Sequence, residues 1–202
     1  MHMKPFPKLL SIALFLVAVA PAFAQVVPAG QQGGGGGSLP IVVGSAYSNF
    51  TLDWGPGHRS SGMTAWIDVY PFPKFLRDVG LEGEARTSRW GNPIAGLRED
   101  TAQAGAIYSF SRWNKVHPYG KFLAGNGSMD FPAFPGNPNY KHDTFFVDSA
   151  SGGAELKATG PLRIRAEYQY QWWHNVFTAG HTFAPNGITV GAQWDFRRMN
   201  TE

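Results

Sequence analysis

The chain contains no cysteine among its 202 residues. No disulfide braces it, so a secreted chain of this kind must be held by core packing or by a closed ladder of hydrogen bonds. Long apolar runs are also missing. The longest, Leu9 to Ala20, has twelve residues, short of the roughly 18–20 that a spanning helix requires. No membrane helix is therefore expected. Nor is there an excess of one charge. Lys4 and Lys8 are two of 17 basic residues, and without them 15 stand against 14 acidic ones, a net of +1. Nothing in that balance points to nucleic acid as a partner.

What the start of the chain does have is a leader. Lys4 and Lys8 precede the apolar run, and Ala22-Phe23-Ala24 then places small residues where a signal peptidase reads. Residues 1–24 are read as a signal peptide cleaved after Ala24. The absence of cysteine beyond that point excludes lipid attachment at an N-terminal cysteine. Residues 25–40 include Gly33 to Gly37, five glycines in a row, and read as a flexible linker. A phosphate-cradling loop would need a following helix and a Lys-Ser/Thr pair, and neither is present. The remaining 41–198 suits a single domain.

The strongest pattern lies at 161–172. Leu162, Ile164, Ala166, Tyr168, Tyr170 and Trp172 alternate with Arg163, Arg165, Glu167, Gln169 and Gln171. Successive side chains of a strand face opposite sides, so period two predicts a strand with one apolar and one polar face. So sharp a split over a dozen residues suits a strand with lipid on one side and a charge-paired interior on the other. Eight strands are predicted, over 41–53, 62–71, 79–90, 100–112, 117–130, 144–158, 161–172 and 186–197. The fold class expected is all-β, an eight-stranded antiparallel up-and-down transmembrane barrel. Asp148 falls on the face assigned to lipid, which a bulge or a later strand start would resolve. Gly/Pro/Asn-rich connections follow strands one, three, five and seven, while those after strands four and six are short, as expected of long extracellular loops and short periplasmic turns. One helical turn is expected within 72–78. Trp54, Trp90, Trp172 and Trp173 are expected at the outer interface, and Trp194 and Phe196 at the inner one. Together Trp54, Trp90, Trp172, Trp194 and Phe196 form the expected aromatic girdle.

The predicted lumen holds six acids and six bases: Asp68, Glu82, Glu84, Glu155, Glu167 and Asp195 with Arg86, Lys121, Lys157, Arg163, Arg165 and Arg197. An eight-stranded barrel is just wide enough for side chains to fill, and buried charges need partners. The expected network sets Glu82, Glu84 and Glu167 against Arg86, Arg163 and Arg165, a plug rather than a pore. An ion-selective channel would show one dominant sign of charge at its constriction.

At this point the chain resembles the small eight-stranded outer-membrane β-barrel family, which includes the OmpA-type transmembrane domains. The likeness covers Leu39 to about Arg198 and rests on three stretches. These are Pro118-Tyr119-Gly120-Lys121-Phe122-Leu123-Ala124-Gly125, Gly152-Gly153-Ala154-Glu155-Leu156-Lys157, and Leu162 to Tyr170. The resemblance implies residence in the bacterial outer membrane, contact with its lipid, and delivery by the barrel-assembly machinery. Phe196 stands in the place of the C-terminal aromatic residue that this machinery reads. The role implied is non-enzymatic: membrane integrity, with surface loops available for adhesion or for a ligand.

Catalytic and metal-binding readings are weaker. Glu82 and Glu84 share a face, but in a charged lumen they read as ion-pair members. His58, His142, His174 and His181 fall in predicted loops without ligand spacing, so neither a metal nor a cofactor is expected. His58-Arg59-Ser60 has the His-x-Ser form of lipid A deacylases, yet is placed in a Gly-rich loop without a nameable partner acid. The loop from Phe131 to Tyr140, with three prolines, either presents a contact surface or shields the barrel mouth.

Overall fold

The computed structural model describes residues 41–53, 58–72, 76–91, 94, 96–110, 115–132, 139–178 and 180–196. The leader, the linker, Trp54, Arg197 and residues 73–75 of the 72–78 turn lie outside the described residues. The strands are β1 (Ile41–Thr51), β2 (Arg59–Val69), β3 (Val79–Trp90), β4 (Arg98–Ser109), β5 (Val116–Asp130), β6 (His142–Thr159), β7 (Leu162–His174), the two-residue β8 (Thr182–Phe183) and β9 (Asn186–Asp195).

Each of β1 to β7 pairs antiparallel with its chain neighbour. β9 pairs with β7 on one side and with β1 on the other, from Val42↔Asp195 to Phe50↔Gly187. β1–β7 and β9 thus close into an eight-stranded barrel without a free edge. β8 adds only a short pairing to the end of β7. The predicted eight strands are all present, with ends displaced by a few residues.

Inside and outside follow the alternation. In β7 every odd residue from Arg163 to Trp173 is buried. The even ones face out, with Tyr168 53% exposed. Phe122, Phe146, Ile188 and Val190 on other strands are at least half exposed. The barrel is therefore apolar on its surface and polar within, the reverse of a soluble sheet protein. Asp148 needs no bulge. Its register with β5 and β7 is unbroken, so it stays on the outer face, where it hydrogen-bonds His174. The irregular pairings fall elsewhere, beside Ser61/Gly62 and at Lys157/Thr159. The second precedes the tight turn at Gly160, whose φ of 52° favours a residue without Cβ.

Candidate functional site

The lumen is filled in layers. At the centre, β3 brings Glu82 and Glu84, β5 brings Tyr119 and Lys121, and β7 brings Arg165 and Glu167, all inward by parity. Lys121 Nζ lies 2.6 Å from Glu82, 2.5 Å from Glu84 and 3.0 Å from Glu167. Arg165 reaches Glu82 at 2.7 Å, Glu167 at 3.1 Å and Asp68 of β2 at 3.5 Å. Its Nε donates to Tyr119 Oη at 2.7 Å, and that hydroxyl donates to Glu167 at 2.6 Å. The guanidinium also lies against two rings, 4.6 Å from the Trp66 centroid and 4.4 Å from that of Tyr119. Two cations thus hold four carboxylates, with all five donors of the planar guanidinium available to fix the geometry.

Three of the residues expected here behave differently. Arg163 belongs to a separate pair of bonds nearer the short turns, with Glu155 at 2.6 Å and Asp195 at 2.9 Å. Arg86 forms no direct ion pair among the described residues. It donates to Gln169 at 3.3 Å and Gln171 at 2.7 Å, and its guanidinium lies 3.6 Å from the Phe50 centroid. Lys157 is exposed. Conversely, Glu99, expected in a loop, lies inside β4 and is buried. Among the described residues the buried set therefore holds seven carboxylates (Asp68, Glu82, Glu84, Glu99, Glu155, Glu167, Asp195) and four cations (Arg86, Lys121, Arg163, Arg165), rather than equal numbers.

Above the charges, at the loop end, lies an apolar lid that the alternation of the strands does not predict. Leu52, Leu97, Met129, Phe131, Phe145, Val147, Trp173, Val176 and Phe183 pack together, with Ile94, Tyr140 and Phe177 against them. Trp173, expected at the outer interface, is fully buried here because β7 runs on to His174 and parity turns it inward. Its indole donates to Gln171 at 3.0 Å, joining lid to network. The third loop contributes Phe131 and Tyr140, whose rings lie 5.0 Å apart. At the rim Tyr140 donates to Asp143, and holding that proton in the bond pushes the phenol up to about 12. At the other end Val42, Tyr70, Ile107 and Tyr119 form a second apolar layer. Of the girdle, Trp90 and Trp194 are exposed, and Trp172 and Phe196 are half-buried.

Close packing around the central cluster depends on a glycine. A Cβ on Gly153 would fall 2.4 Å from the Ala166 carbonyl oxygen and 2.6 Å from Tyr119 Oη. Gly153→Ala is expected to displace Tyr119 and lower stability by about 1–3 kcal/mol. Gly152→Ala, whose Cβ would meet its nearest neighbour at 3.8 Å, is the control. Urea midpoints for the two variants in lipid vesicles check this, and equal losses would overturn it.

The catalytic reading gains no geometry. Arg59 and Ser60 stand on β2, not in a loop. Ser60 is buried and points into the lumen, while Arg59 points out and donates to Asn49. Neither Ser60 Oγ nor His58 Nδ1 has a hydrogen-bond partner among the described residues, so the pairing that activates a serine is not made. Of the other histidines, His142 and His174 lie on strand ends and pair with Asp130 and Asp148. Among the described residues no group of three or more His, Cys, Asp or Glu could hold a metal ion.

The chain is similar to several solved structures. Neisserial surface protein A (NspA) superposes with a TM-score of 0.54 at 16% identity, over 77% of this chain and 96% of that one. Ail, the attachment invasion locus protein of Yersinia pestis, matches in complex with the heparin analogue sucrose octasulfate, with a TM-score of 0.49, 19% identity, and 76% and 95% coverage. The N-terminal β-barrel domain of Pseudomonas aeruginosa OprF gives 0.49, 14%, and 77% and 98%. No protein-family model and no curated protein matches the chain. The likeness to NspA is one of fold: a closed eight-stranded antiparallel barrel.

Proposed function

We propose that this chain is a non-enzymatic protein of the bacterial outer membrane, whose closed barrel contributes to envelope integrity while its loops face the outside. A signal peptide ending at Ala24 carries it to the periplasm, and the barrel-assembly machinery inserts it among outer-membrane lipids. The observation that supports this most directly is the inversion of the barrel. Its surface is apolar, its interior carries the charges, and its ladder has no free edge. Only lipid makes that arrangement favourable, because a polar backbone must be satisfied internally there and an apolar surface finds its solvent. The interior is plugged twice, by the ion pairs around Lys121 and Arg165 and by the apolar lid. A plugged lumen favours a closed barrel over a narrow pore. The connections after β1, β3, β5 and β7 gather at the lid end, where they supply the surface for adhesion or for a ligand.

Detergent-extracted protein from the outer-membrane fraction should migrate differently on a gel before and after boiling, since a closed barrel resists detergent until heated. Recovery as a soluble periplasmic protein without a shift would sink the membrane reading. In planar bilayers no steady conductance is expected, and a stable open level would replace the closed barrel by a pore. Release of acyl chains from lipid that Ser60→Ala abolished would instead establish a lipid-modifying enzyme.

A further inference from the structure

On the outer face at the loop end, the sector formed by β1, β2 and β3 carries cations without acids. The ladder between β2 and β3 skips one residue there. Ser61 faces Trp90 and Gly62 faces Ser88, so Arg89 is left over as a bulge. Alternation from the buried Ser88 would turn Trp90 inward. As the direct partner of the outward Ser61 it lies outside instead, 52% exposed and beside Arg89. The two strands approach this closely because position 62 has no side chain. A Cβ there would fall 1.7 Å from the Thr87 carbonyl oxygen.

Arg59, two residues before Ser61 on β2, also faces out. Diagonal neighbours on one face of a strand pair stand roughly 7–8 Å apart, within joint reach of two arginines. Neither Arg59 nor Arg89 meets a carboxylate among the described residues. Arg59 donates through Nε and Nη2 to Asn49, and Arg89 through Nε to Thr87 Oγ1 at 3.0 Å. The connections 54–58 and 91–97 contain no acidic residue. Ser61 Oγ accepts from the Tyr47 hydroxyl at 2.6 Å and from Asn49 Nδ2 at 2.9 Å, which leaves its own hydrogen to donate. The patch therefore offers N–H and O–H donors to whatever lies over it. Elsewhere the outward rim is compensated: Arg98 is met by Asp100, Asp130 pairs with His142, and Asp148 pairs with His174.

We propose that Arg59, Arg89 and Ser61 seat the phosphate of an anionic lipid, with Trp90 and Tyr47 packed beside it. The planar guanidinium matches phosphate oxygens in geometry as well as charge. Trp and Tyr rings settle where a lipid turns from polar to apolar. What selects a lipid over a soluble anion is the surface directly below the donors. Tyr47 pairs with Met63 on one side and Val190 on the other, and Asn49 pairs with Ile188. Met63, Val190 and Ile188 are each 45% exposed or more, an apolar track for the acyl chains of the lipid whose headgroup the arginines hold. The bulge is the device that makes the site, since it sets Arg89 and Trp90 side by side on one face. The proposal rests on the membrane reading above, because a soluble barrel would meet no lipid at this height.

Mass spectra of the intact protein, released from phosphatidylcholine vesicles that contain phosphatidic acid, count the lipids that stay bound. The protein is expected to retain phosphatidic acid in preference to phosphatidylcholine. Arg59→Gln combined with Arg89→Gln should lower that preference roughly tenfold. Lys141→Gln removes an exposed cation elsewhere on the same rim and should leave it unchanged. Arg89→Lys keeps the charge and loses the planar fork, so it should fall between the two, and it serves if the double variant does not fold. Equal retention by the unaltered protein and the double variant overturns the site. Displacement of the lipid by an equal concentration of inorganic phosphate overturns the lipid assignment in favour of a soluble anion. Every protein is also run boiled and unboiled on a gel. A heat-dependent shift without lipid preference strikes the site and leaves the membrane reading standing, whereas failure of the unaltered protein to enter vesicles strikes both.

Discussion

Lys121→Met is expected to lower stability by about 3–5 kcal/mol, the range for removing one partner from a buried ion pair. Three carboxylates meet at this ammonium. Without it Arg165 still reaches Glu82 and Glu167. Glu84 would keep only the amide of Gln169, 3.2 Å away. It would then be a buried charge beside two like charges. The effect should consequently shrink when Glu84→Gln is added, since the double variant removes both the cation and the carboxylate that depends on it alone. The measurement is the urea midpoint of all four proteins in phospholipid vesicles, read by gel mobility. Additive losses would show that Lys121 and Glu84 do not act as a pair, and an unchanged midpoint for Lys121→Met would remove the cluster as a source of stability.

Ala104→Arg carries the second large effect and acts on the opposite face. Ala104 points outward at the middle of β4, paired with Gly83 on one side and Ala124 on the other. In a bilayer an arginine at mid-depth on the lipid face costs about 2–4 kcal/mol. Ala104→Leu at the same site should be neutral or stabilising. A water-soluble barrel predicts the reverse order, with arginine harmless and leucine promoting association. Folding yield and urea midpoint in vesicles, measured for both variants, decide between the two environments. Equal tolerance of arginine and leucine would contradict a lipid-facing wall at this position.

Much of the barrel was legible because period two is a local property. From Leu162 to Trp172, and from Glu82 to Ser88, alternation alone assigns every side chain to its face. The ends of strands were not legible, because Gly, Pro and Asn mark a turn without stating where the ladder stops. That is why the local pattern places Trp173, Glu99 and Ser60 in loops or at the membrane interface, when each lies on a strand and points inward. The partners within the lumen were legible only as a set. Arg163 and Arg165 share a face two residues apart, yet one reaches Glu155 and Asp195 while the other reaches Glu82 and Glu167. That difference comes from the stagger of neighbouring strands, a global quantity that no local pattern contains. The lid escaped for a related reason. Leu52, Leu97 and Met129 are single apolar residues at inward positions on different strands, and only closure gathers them.

One seam distinguishes this barrel in time as well as in space. Every strand from β1 to β7 finds a partner next to it in the chain, so those hairpins can zip in sequence. The join between β1 and β9 brings Val42 to Asp195, and Ser48 to Thr189 at 2.9 Å between hydroxyls. Contacts so distant in sequence are slow to form, because the chain must close a long loop before any bond rewards it. Until they do, β1 and β9 each present an open edge, the form in which a sheet recruits foreign strands. The interval before the seam shuts is therefore when a nascent molecule is most prone to aggregate, and a chaperone that shields either edge strand would shorten the exposure without touching the finished protein.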